Sequence, residues 1–138
     1  MTRLLFLLIA LVPGTALAAT PDDATATALG RCLNAAANAS TAGQTQCEAD
    51  AARAYDRRMN TAYTALMRAL PAPAAQRLRL AQRAWLAFRS AEADARLALY
   101  STRSGTMYVP MAADSATNVV RDRALQLETY LRVMRIDG

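Results

Sequence analysis

The sequence predicts an all-α fold, a small antiparallel bundle of three long helices with a short N-terminal helix clipped to it by one disulfide. Three observations lead there. Apolar residues recur at three- and four-residue spacing through most of the chain, and no segment shows the period of two that a strand requires. Pro71, Pro73, Pro110, Gly43 and Gly105 sit at breaks between those periodic runs. Two cysteines, Cys32 and Cys47, flank a predicted loop.

The 138 residues suffice for a single domain. Residues 1–18 read as a secretory signal peptide. Arg3 supplies the positive start, Leu4 to Val12 the apolar stretch, and Pro13-Gly14 a break before the Ala16-Leu17-Ala18 cleavage site. The stretch is too short to remain as a membrane anchor. The expected mature domain, residues 19–138, is therefore exported, to a periplasm or to the medium, without stable membrane insertion. An exported chain with two cysteines favours a Cys32–Cys47 disulfide; two free thiols or a metal pair are the alternatives. A zinc site would lack ligands, because the chain has no histidine.

Ala24 to Ala39 is alanine-rich and reads as a short helix, followed by a loop over 40–46. Thr45-Gln46-Cys47-Glu48 has capping-box spacing and predicts the start of the second helix. Tyr55, Met59, Ala62, Tyr63, Leu66 and Leu70 form its apolar face, and Pro71-Ala72-Pro73 ends it. A third helix is predicted from about Ala74 to Tyr100, with the stripe Leu78, Ala81, Trp85, Phe88, Glu92, Ala95 and Leu99. Ser101 to Asp114 has no helical period and is expected to be a loop. Asp114 or Ser115 then caps a last helix, with Val120, Ala124, Leu127, Leu131 and Met134 inward.

Helical spacing places Trp85 and Phe88 in the predicted core, with Tyr63 packing at its edge. Glu92 falls within the same stripe, where a carboxylate is costly unless paired, and Arg89 and Arg96 stand one turn away on either side. Together Asp56, Asn60, Gln82, Arg83, Arg89, Glu92 and Arg123 predict a buried or half-buried polar network that fixes helix register. Asp56 and Glu92 could instead be a hydrolytic carboxylate pair. The ion-pair reading is preferred, because arginines stand beside both.

The chemistry that the composition excludes is broad. With no histidine the commonest general base and metal ligand are missing, and with no lysine so is Schiff-base chemistry. There is no glycine-rich phosphate loop. No enzyme and no cofactor are expected. The formal net charge of +5 raises the question of nucleic acid, but the arginines are interspersed with acids rather than clustered.

One further resemblance bears on function. Cys47, Ala54-Tyr55-Asp56, Met59-Asn60, Tyr63, Leu66 and Leu70 are followed by Gln82-Arg83-Ala84-Trp85, Phe88-Arg89 and Ala91-Glu92, then by Arg123 and Leu127. This pattern, over roughly 32–131, resembles the LprI-type lysozyme inhibitors, small exported helical proteins of bacteria. Ala93 and about Ser115 stand where relatives often carry a second cysteine pair, so the 101–114 loop lacks that tether.

The resemblance implies a protein that binds and blocks a lysozyme-like or other peptidoglycan hydrolase. An immunity protein against a rival's wall-degrading toxin, or a non-inhibitory envelope protein, are the alternatives. Because common lysozymes are basic like this chain, binding needs local acidic patches, with Glu48, Asp50, Asp56 and Asp94 as candidates. The loop carries the candidate contact residues Arg103, Gly105, Met107 and Tyr108; an equal alternative is that it folds over the open end of the bundle.

Overall fold

The computed structural model describes residues 23–136, so the signal-peptide segment lies outside the described residues. The architecture is all-helical: α1 (Ala24–Asn34), a single 3-10 turn (Ala36–Asn38), α2 (Thr41–Ala69), α3 (Ala72–Ser101) and α4 (Tyr108–Val133). Asp23 caps α1 by accepting from the backbone N–H groups of Thr25 and Ala26. The disulfide joins Cys32, near the end of α1, to Cys47 in α2, with Cα atoms 5.8 Å apart.

Several boundaries differ from the sequence reading. The first helix stops at Asn34 and the chain turns through the 3-10 segment, where the Asn38 side chain donates to the Cys32 carbonyl at 3.0 Å. The second helix begins at Thr41, capped by Ser40, so the Thr45 spacing falls inside it. Gly43 permits that early start. A Cβ there would meet the Asn38 backbone at 2.7 Å, so only glycine lets the first turn of α2 pack on the 3-10 segment. The last helix begins at Tyr108 rather than at Asp114 or Ser115. Pro110 falls in its first turn, where an N–H would lack a helical acceptor anyway. The connection is thus only 102–107, and Tyr108 belongs to α4. Gly105, with φ +116°, makes the turn that an L side chain would resist.

Polar pairings define the directions. Thr117 of α4 donates to the Glu48 carbonyl and Arg58 pairs with Glu128, so α2 and α4 run parallel. Arg89 reaches back to Asp56, and Tyr100 to the Met111 carbonyl, so α3 runs antiparallel to both. The main core lies between α2 and α4 and comprises Ala51, Tyr55, Met59, Ala62, Leu66, Val120, Ala124 and Leu127. Small residues at 51, 62 and 124 let the two backbones approach closely.

By contrast, α3 buries only Ala75 and Gln82 fully, while Leu78 and Trp85 pack half-buried against the core. Phe88, predicted in the core, is 53% exposed. The inward face is turned by about 60° from the predicted stripe, counting about 100° per residue. Leu78 and Trp85 point inward as predicted, and Gln82 and Arg89 join them in place of Ala81, Phe88, Ala95 and Leu99. The reason is chemical: Arg123 and Asp56 already offer partners for Gln82 and Arg89 on the neighbouring helices. Tyr63 packs half-buried against the core cluster.

Candidate functional site

The predicted polar network divides into two parts. In the first, Gln82 on α3 accepts from Arg123 Nε on α4 at 2.9 Å, and its amide nitrogen lies 3.7 Å from Met59 Sδ on α2. Arg123 also donates to Gln126 at 2.5 Å. Burial pushes the pKa of Arg123 below its ordinary value. The Trp85 ring compensates part of that desolvation, with the guanidinium of Arg123 6.0 Å from its centroid and that of Arg89 at 5.7 Å. Gln82 and Trp85 thus anchor α3 to the α2–α4 pair.

The second part is more exposed. Asp56 accepts from Asn60 at 3.0 Å and pairs with Arg89 at 3.3 Å, with both charged side chains about 40% exposed. Pairing with Arg89 uses Asp56 as a structural partner rather than as one of a catalytic pair. Arg83 and Glu92 join neither part; among the described residues they make no side-chain hydrogen bond or ion pair. The expected Arg89–Glu92 pairing is therefore replaced by Arg89–Asp56 across two helices.

A third polar cluster was not foreseen. Arg58 grips Glu128 through two hydrogen bonds of 2.7 Å, and reaches Asp23 at 2.5 Å and Thr25 at 3.0 Å. Tyr55 donates to Asp23 at 2.8 Å and its ring lies 5.1 Å from the Arg58 guanidinium. Burial pulls the pKa of Asp23 upward, but the bonds from Arg58, Tyr55 and the Ala26 amide outweigh it and hold the carboxyl below its ordinary value. Burial and the Asp23 carboxylate push Tyr55 up to about 12, so its hydroxyl stays a donor. Arg58 ties α1, α2 and α4 together. The only hint in the sequence is its place one turn after Tyr55; both acidic partners are remote in the chain.

The predicted contact segment lies beside a shallow groove of about 490 Å³. Arg103, Gly105 and Met107 are exposed and Tyr108 is half-buried. Met107, Pro110 and Met111 line the groove on one side, and Leu33, Gln44, Glu48 and Asp114 on the other. Glu48 is 4% exposed and its Oε2 has no hydrogen-bond partner. Burial raises its pKa, with the Asp114 charge adding to the rise and Thr117 and Arg121 opposing it. The candidate acids thus differ in state: Asp50 is bound to Arg53 and Asp56 to Arg89, whereas Glu48 and Asp94 form no ion pair among the described residues, and neither does Asp114, which was not among the candidates. No cluster of three metal-ligating side chains exists among the described residues. None of the described helices is long and apolar enough to cross a membrane.

The model of the LprI lysozyme inhibitors matches residues 32–127, from the first cysteine through Arg123 and Leu127. The chain belongs to the LprI lysozyme inhibitor family. It also resembles a crystal structure of an uncharacterized protein from Burkholderia thailandensis, with 38% sequence identity and a TM-score of 0.74 over 78% of this chain. The chain spans about half of that protein, 53% of its length. No curated protein matches. In this LprI member Gln82 and Trp85 hold α3 in place, and the α3–α4 connection is exposed.

Proposed function

We propose that the mature chain is exported and binds a lysozyme-like peptidoglycan hydrolase, blocking its cleft with the surface formed by the 102–107 turn and the start of α4. Family membership is the observation that carries this reading. The local geometry supplies a contact surface. Met107 and Val109 are more than half exposed, with Met111 close behind, next to Glu48 and Asp114. Apolar side chains beside the exposed Asp114 carboxylate suit a basic partner, despite the net charge of +5. Gly105, at φ +116°, permits the turn that presents these side chains.

The test is the clearing of a peptidoglycan suspension by lysozyme, followed by turbidity with and without the purified protein. Protection at stoichiometric amounts is expected. Replacing both Met107 and Met111 by glutamate should weaken it at least tenfold, since it places charge in the apolar part of the contact. Absence of protection at large molar excess rules out inhibition of that lysozyme. Full protection by the double variant moves the contact elsewhere.

A further inference from the structure

Among the described residues, nothing in the monomer covers the outward face of α3. Counting about 100° per residue, Leu80, Ala84, Phe88, Ala91, Ala95 and Leu99 share an arc of about 100° that lies at least about 100° away from Gln82. Every residue of this arc between 80 and 99 is apolar and exposed. Leu80, Phe88 and Leu99 are each more than half accessible. At 1.5 Å per residue the face runs about 30 Å, long for an uncovered apolar surface on a small chain.

We infer that this face is the interface of a homodimer, in which α3 of two copies pack antiparallel about a two-fold axis near Phe88. Charge selects both the occupant and the direction. The first part of α3 carries Arg77, Arg79, Arg83 and Arg89 and no acid, whereas the second part carries Glu92 and Asp94 against a single arginine, the half-buried Arg96. A parallel pair sets the arginine-rich part against itself. An antiparallel pair sets it against the acids, and opposes the helix dipoles as well. The register follows from two residues. Arg83 and Asp94 are eleven residues apart, about three turns, so they share one flank of the apolar arc. They also stand equally far either side of the Phe88–Arg89 boundary. In an antiparallel pair like flanks face each other, so each Arg83 meets the Asp94 of the other copy, twice by symmetry. Neither residue has an ion-pair partner within the monomer among the described residues. The alanines between the large side chains let the two backbones come close, while Phe88 packs on its counterpart near the axis. The 102–107 turns then lie at opposite ends of the paired helices, both accessible.

Sedimentation equilibrium on the protein purified after export tests this, with far-UV circular dichroism as the check on folding. The wild type is expected at twice the monomer mass. Phe88→Glu, at an exposed position, should give a monomer with unchanged helix content. Arg83→Asp and Asp94→Arg should each weaken dimerisation about tenfold, because each breaks two symmetric pairs and opposes like charges. The double variant should return to near wild-type affinity. A wild type that stays monomeric at every concentration overturns the proposal, as does a dimer indifferent to Phe88→Glu or a double variant without rescue. Loss of lysozyme inhibition by Phe88→Glu in a monomeric wild type assigns the face to a different protein, which also overturns it.

Discussion

Helices α2 and α3 have nearly the same length and a similar alanine-rich make-up, yet they live in different environments. Along α2, seven residues from Cys47 to Leu66 are fully buried, and the helix shares its apolar face with α4. Along α3 only two are, and large apolar side chains face outward. The contrast teaches that an apolar helix is a core helix only where a neighbour covers it. Here the bundle is in effect a tight α2–α4 pair with α3 fastened to its side by Leu78, Gln82 and Trp85.

The sharpest way to break this contrast is one substitution made in each region. Leu127 is 0% exposed, and Leu127→Ala should cost about 2–5 kcal/mol, read from urea unfolding. Leu97 is 72% exposed, and Leu97→Ala should cost under about 0.5 kcal/mol. Comparable losses at the two sites would mean that α3 is covered after all. The next effect concerns what clips α1 to the pair. Replacing Cys32 and Cys47 by serine opens a loop with sequence separation 15 and should cost about 3 kcal/mol by the chain-entropy argument, seen as a fall in Tm.

Arg58→Ala removes the bonds to Glu128, Asp23 and Thr25, and should cost about 1–3 kcal/mol. It should also change the acid limb of the stability profile. Asp23 has a depressed pKa in the folded state, so its contribution is present above the unfolded value of 3.8 and is lost as pH falls through the folded value. The Arg58→Ala variant should lose less stability over that acid range than the wild type. A slope identical to the wild type's would show that Asp23 is not held by Arg58.

The smallest effect has the opposite sign. Glu48 has a raised pKa, so its burial penalty is present at neutral pH and is relieved as pH falls through the folded value toward 4.5. Glu48→Gln should raise Tm slightly at neutral pH, by about 1–3 °C, with the gain vanishing near pH 4. A drop in Tm at neutral pH would mean that the carboxylate finds a partner in the folded protein.

Much of the fold was legible in the chain. The apolar period of α2 and of the later part of α4 identified the residues that pack together, Met134 excepted, which is 39% exposed just beyond the end of α4, because those faces combine large side chains with a clean polar opposite. The Cys32–Cys47 bond followed from the cysteine count and the expectation of export. The start of α4 was not legible, since Pro110 reads as a breaker and the alanines at 112, 113 and 116 give no stripe. Phe88 was misplaced for a related reason. With leucines and alanines around most of its circumference, α3 offers several apolar faces, and the buried one is chosen by what Arg123 and Asp56 present.

The sequence by itself determined four helices' worth of apolar pattern, the covalent clip and the motif that places the chain among the LprI inhibitors. These depend on local spacing and on residue identity, which the chain carries directly. Only the tertiary structure decided which side of α3 is covered, that Arg58 gathers Asp23 and Glu128, and that Glu48 is buried beside Asp114. Each of those outcomes rests on groups tens of residues apart in the chain. Desolvation and charge pairing act on whatever the packing brings together, and no local pattern encodes that.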